Sequence, residues 1–248
     1  MATSFPLQPL EIMAKNHAIL ATTGFLILLP VGVLIARYAR TFTPMYTVFP
    51  VSRVKNVELG ANNTSFPPSF YRWFPVHFVV QLLLSGPVIF AAWYYGWKTS
   101  NVLGLGHFLD PHQKMGLVLL ILYVVQLFLG LFTHFIKLRS PFGPGTRPPQ
   151  NYFHVFLGLV ILILAAEQVH YGLYIEWAFA TGGLHVVPMA AKRAWIALIV
   201  IFWVFYLVGL ALVPKQFSQE SRARNGPTRT KSDEKGLNNQ SGDVQSAA

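Results

Sequence analysis

Residues 112–130 read HQKMGLVLLILYVVQLFLG, and residues 154–172 read HVFLGLVILILAAEQVHYG. The two runs agree at nine of nineteen positions: the leading His, Gly at +4, Leu-Val at +5 and +6, Leu-Ile-Leu at +8 to +10, Gln at +14 and Gly at +18. Each is apolar over about the 20 residues that an α-helix needs to cross hydrocarbon. At about 100° and 1.5 Å per residue, position +4 lies on the histidine's own face, and position +18 returns to that face after five turns, roughly 27 Å away. Gly116 and Gly158 therefore thin each helix beside its own histidine. Gly130 and Gly172 thin it at the depth of the other one. Consecutive helices run antiparallel, so the repeat is an inverted one, and it implies two equivalent sites near opposite membrane faces. The competing reading of the same glycines is close helix–helix packing.

The rest of the chain follows the same pattern. Of 248 residues, 53% are hydrophobic and 11% charged, too few charges to cover a water-facing surface. Long apolar runs lie at residues 18–36, 74–97, 115–136, 153–175 and 194–213, which predicts five transmembrane helices and an all-α integral membrane protein. The first run is too long, and too closely followed by Arg37 and Arg40, for a cleavable signal peptide. The domain reading is a short outer N-terminus at 1–16, a transmembrane domain at 17–213, and a disordered tail at 214–248 rich in Ser, Asn, Gly, Arg and Lys. The absence of cysteine excludes disulfides, iron–sulfur clusters, zinc–thiolate sites and covalently attached haem.

Charge orients the helices. With the N-terminus outside, the first and third loops and the tail lie inside and hold fourteen cations, including Arg37, Arg40, Arg72, Lys137, Arg139 and Arg147; five lie outside, Lys15, Lys98, Lys114, Lys192 and Arg193. That bias predicts a cytoplasmic C-terminus in a plasma or endomembrane. It also accounts for most of the net charge of +10 with no nucleic-acid partner. Overlapping glycosylation sequons at Asn62 and Asn63 run against this orientation.

Two further helices carry an early histidine: His17 in HAILATTGFLILLPVGVLIARY and His77 in YRWFPVHFVVQLLLSG. In four antiparallel helices, His17 and His112 then fall at the outer end, and His77 and His154 at the inner end. Matched depths at both ends are the pattern expected for two bis-histidine haems in a four-helix bundle. A histidine near a helix end is, singly, most often an interfacial polar residue. Asp110 and Pro111 read as N-cap and first residue of the third helix, and Asn151 as the cap of the fourth. The rival design, with two ligand histidines on one helix, finds only His112/His134 and His154/His170, 22 and 16 residues apart. Sixteen residues turn His170 about 160° from His154, toward a pairing with Glu167 on the far side of the helix.

These residues resemble the cytochrome b561 family over roughly residues 17–213. The likeness rests on His17 with Pro30, Gly32 and Arg37, on Trp73 with His77 and Gln81, on His112 with Gly116, Gln126 and Gly130, and on His154 with Gly158. The chain is most similar to the five-helix form that is found fused to a DOMON-type domain, here without that domain. The resemblance implies two haems b, with His17 and His112 binding the outer one and His77 and His154 the inner one. It implies an ascorbate-dependent transmembrane oxidoreductase of ferric-reductase type, with a cytoplasmic donor such as ascorbate and an external acceptor such as ferric chelate or monodehydroascorbate. Membrane lipid, a secreted DOMON-type redox protein and a second copy of the chain are the remaining candidate partners. Arg37, Arg72, Arg139 and His107 are the candidate substrate residues; no catalytic residue is named. The readings from other classes are a haem-free helical transporter or scaffold, and a membrane anchor that passes electrons to a separate secreted protein.

Overall fold

The computed structural model describes residues 6–42, 73–104, 106–136, 138, 140–143 and 146–225, with Trp73, Glu220 and residues 222–225 described by backbone alone. Among the described residues five helices are long and apolar enough to cross a membrane: α1 Pro9–Phe42, α2 Phe74–Leu103, α3 Pro111–Phe135, α4 Pro149–Ala180 and α5 Met189–Leu210. A sixth, α6, spans Val213–Asn225. Helices α1 to α4 form the bundle, α1 packing along α2 and α3 along α4, while α5 lies against α1 and α4. The indole of Trp195 on α5 donates to the Ala166 carbonyl of α4 at 3.1 Å.

The helix ends follow local chemistry. The Asp110 side chain accepts from the Gln113 N–H at 2.8 Å, with Pro111 in the first turn of α3, as the sequence predicts. Helix α4 starts two residues earlier than its expected cap. Pro148 is the N-cap, Pro149 opens the helix, and Asn151 lies within its first turn. Proline preset to a helical φ, with no N–H to satisfy, begins the helix before the asparagine can cap it. Helix α2 ends at Gly104, whose φ of 65° is open to glycine at little cost.

Two described segments, Pro9–Asn16 and Val213–Asn225, are more helical than the sequence reading expects. Residues Pro9–Asn16, expected outside the membrane domain, are the first turns of α1, started by Pro9 and by the Glu11 carboxylate accepting from the Gln8 N–H at 2.7 Å. His17 consequently sits more than two turns into its helix. The segment expected to begin a disordered tail is helical as Val213–Asn225. Buried Gln216 explains why: its amide donates to the Arg37 carbonyl and the Thr41 hydroxyl, both at 2.6 Å. Helix α6 thus supplies side-chain donors to the last turns of α1.

Three spans contain a π-turn: Thr23–Leu28 in α1, Val79–Leu84 in α2 and Gly172–Glu176 in α4. Such turns release carbonyls from the helix ladder. The Gln81 carbonyl, within the α2 turn, accepts from the Tyr123 hydroxyl at 2.7 Å. Tyr123 is 1% exposed and stands at the middle of the bundle with Leu26, Ile89, Leu119, Ile161 and Ala165. Large apolar side chains such as Phe128, Phe156, Val200 and Leu207 are exposed on the outer surface of the spans, where lipid is the solvent.

Candidate functional site

Four histidines on four helices meet as two pairs. The rings of His17 and His112 lie 5.9 Å apart, centre to centre, at 79°. Those of His77 and His154 lie 6.5 Å apart at 77°. The faces of α3 and α4 that carry them are closely packed. Leu119 and Tyr123 lie between His112 and Gly130, while Ile161 and Ala165 lie between His154 and Gly172, and all four are 2% exposed or less. Positions +7 and +11 fall within about 20° of the histidine's direction, so each helix turns one continuous face inward.

Hydrogen bonds fix two of the imidazoles. His17 Nδ1 lies 2.7 Å from the Ala92 carbonyl of α2, and His77 Nδ1 lies 2.8 Å from the Gly32 carbonyl of α1. A carbonyl only accepts, so Nδ1 carries the proton in both rings and Nε2 is left with its lone pair, the state in which imidazole binds a metal. The bonds are reciprocal: each helix of the α1/α2 pair holds the other's histidine. The α3/α4 pair repeats the exchange one step removed. Gln168 Nε2 donates to the His112 carbonyl at 2.7 Å and Gln126 Nε2 to the His154 carbonyl at 2.8 Å. The Nδ1 atoms of His112 and His154 are buried with no hydrogen-bond partner among the described residues.

The repeated glycines make room for these contacts. A Cβ on Gly130 would stand 3.1 Å from His154 Cε1, and one on Gly172 would stand 3.4 Å from His112 Cε1. Gly130 and Gly172 thus lie at the depth of the other helix's histidine, and what each accommodates is that imidazole. A Cβ on Gly158 would stand 2.9 Å from Gln126 Nε2, and one on Gly116 would stand 3.4 Å from Gln168 Nε2. Gly116 and Gly158 therefore clear the way for the two glutamine amides. Gly96, absent from the sequence reading, does the same for His17, whose Nδ1 would be 2.9 Å from its Cβ. The glutamines were visible as the +14 position of the repeat. Ala92 and Gly96 had no such signal, because α1 and α2 do not share that sequence frame.

Beside His17 and His112 a cavity of about 510 Å³ opens, within the range of small-molecule and cofactor sites. His107 lines it, stacked on Trp97 at 3.5 Å and hydrogen-bonded through Nε2 to Asn101 Oδ1 at 2.7 Å. Arg37 lies elsewhere, near α5: its guanidinium donates to the Tyr206 hydroxyl at 2.8 Å and sits 4.9 Å over that ring. Arg72 and Arg139 fall outside the described residues, as do Asn62 and Asn63. His134 stacks on Phe74 at 3.4 Å. His170 turns from the paired histidines to Trp195 of α5, with Glu167 3.5 Å away.

Both pairs fit a metal held between two imidazoles. A metal–imidazole bond of about 2.0 Å on each side puts the ring centres about 6 Å apart. Residues 71–180 match the family model described as eukaryotic cytochrome b561. Over these residues the chain is similar to the cytochrome b561 family. Cytochromes b561 bind haem b and carry electrons across a membrane, and the five apolar spans make this chain a multi-pass membrane protein. The b561 match includes His77, His112 and His154, whereas His17 lies outside it and joins the set by its position 5.9 Å from His112. No curated protein and no solved structure matches the chain.

Proposed function

We propose that this cytochrome b561 protein holds two haems b, one between His17 and His112 and one between His77 and His154, and passes electrons from a cytoplasmic donor to an acceptor outside. The observation that carries the reading is the recurrence of one pair geometry at two depths, with ring separations of 5.9 and 6.5 Å. Haem b supplies a one-electron carrier at each centre when bound.

The chain's own residues bind, orient and insulate. Ala92 and Gly32 hold the His17 and His77 rings with Nε2 free of its proton, so ligation needs no deprotonation and little reorientation. Gln168 and Gln126 tie α3 to α4 beside the other two ligands. The layer of Leu26, Ile89, Leu119 and Tyr123 between the centres is buried and excludes water. The excess of Arg and Lys in the first and third loops and the tail favours a cytoplasmic C-terminus. The same cations, Arg72 and Arg139 among them, would draw an anionic donor such as ascorbate to the His77–His154 end. His107 beside the His17–His112 centre is the candidate contact for a ferric chelate or monodehydroascorbate acceptor. The test is a dithionite-reduced minus oxidised spectrum of purified protein with its haem content. Two haems per chain and a b-type α-band are expected; protein supplied with haem that shows no α-band sinks the proposal.

A further inference from the structure

Trp177 is a residue for which neither the repeat nor the family match gives a role. It lines the cavity beside His17 and His112. Its Nε1 is buried and has no hydrogen-bond partner among the described residues. Several other polar groups around the cavity are engaged: His107 with Asn101, Gln113 with Ser100 at 3.3 Å, Gln168 with the His112 carbonyl, and His17 with the Ala92 carbonyl; His112 Nδ1 is also unpartnered, but its ring lies in the His17–His112 pair. An indole N–H only donates, and a buried donor without an acceptor costs as much as a lost hydrogen bond.

The backbone is adjusted to aim this donor. On an uninterrupted α-helix Trp177, five residues past Gly172, would point about 140° away from the Gly172 face. The π-turn Gly172–Glu176 adds one residue to that turn, which takes back about 100° and brings the indole to within about 40° of it. Gly172 is level with His112, so Trp177 stands beyond the metal-binding ring, toward the membrane surface. The Asp110 and Glu176 carboxylates also line the cavity, so a further carboxylate needs a donor to be held there.

We infer that Trp177 Nε1–H donates to a carboxylate oxygen of the molecule bound at the His17–His112 centre. Resting on the function proposed above, that carboxylate is a propionate of haem b or belongs to the soluble acceptor. Losing the donor leaves more negative charge beside the iron and favours its oxidised form. In W177F with wild-type haem content, the oxidised-to-reduced ratio of one haem at a fixed applied potential rises roughly threefold, the other haem is unchanged, and W177H, which keeps a ring N–H, restores the wild-type value. That result assigns the contact to the haem carboxylate. Unchanged potentials with a raised KM for ferric citrate, and an unchanged KM for a carboxylate-free acceptor, assign it to the acceptor. Potentials and both KM values equal to wild type in a two-haem W177F protein overturn the inference alone, whereas a wild-type chain with no b-type band overturns it together with the haem reading. A W177F protein that does not fold leaves the wild type to decide. Resonance Raman of the wild type in H2O and D2O then shows a haem carboxylate-bending band that shifts on deuteration, and W177L, which also removes the donor, abolishes that shift or raises the KM for ferric citrate; a wild-type band that does not shift, with equal KM for ferric citrate in W177L and wild type, overturns the inference.

Discussion

Each candidate ligand differs from the other histidines by where its ring is sent. His170 is on the same helix as His154, yet it meets Trp195 of α5, while His154 meets His77. His112→Ala is expected to leave about half the haem, read by pyridine haemochrome against protein. His170→Ala is expected to keep both haems. Loss of haem from His170→Ala together with full haem in His112→Ala would refute the pairing of helices. The glycines give a graded version of the same test. A methyl on Gly130 requires the His154 ring to give by a few tenths of an ångström, so Gly130→Ala retains the His77–His154 haem with a perturbed spectrum. Gly130→Leu fills the ring's place and loses that haem while keeping the other. Identical spectra for wild type and Gly130→Leu would leave the glycine a packing residue only.

At the level of elements, the α3–α4 pair is held by its two glutamines and the glycines that admit them. Gln126 crosses to the His154 carbonyl beside Gly158, and a Cβ on Gly158 would stand 2.9 Å from its amide nitrogen. Gly158→Ala and Gln126→Ala should therefore be coupled. Gly158→Ala alone destabilises the protein, whereas in the Gln126→Ala background it is nearly neutral, with a coupling energy of about 0.5–3 kcal/mol. Thermal unfolding in detergent, followed by loss of the haem band, measures this; additive effects would mean that the amide moves aside at no cost. Helix α6 is the element that composition misjudged. Its sequence is polar enough to read as disorder, but Gln216 and Gln219 reach the Arg37 and Thr41 carbonyls in the last turns of α1. The signal was a pair of glutamines in a polar stretch, which has meaning only once the end of α1 is placed beside it.

For the whole molecule, the proposed function ties the donor and acceptor ends to the orientation of the chain in the membrane. The cation bias motivates the expectation that a tag placed after Ala248 survives protease added to sealed right-side-out vesicles. Digestion of the tag, or glycans on Asn62 or Asn63, would reverse the orientation and exchange the donor and acceptor ends. Five spans, their approximate places and the level of Gly130 and Gly172 with the histidine of the neighbouring helix were legible in the chain alone, because hydrocarbon thickness fixes the length of an apolar run and the helical period fixes which residues share a face. The inward face through His112, Leu119, Tyr123 and Gly130 follows from that period without any knowledge of neighbours. What those residues touch does not follow from it. That Gly130 accommodates an imidazole, that Gly158 admits an amide, and that Ala92 and Gly32 orient His17 and His77 depend on contacts between helices distant in sequence, which no local period encodes. The direction of Trp177 was hidden for a related reason: a π-turn shifts the phase of every residue after it, and its single extra residue shows in the backbone, not in the order of side chains.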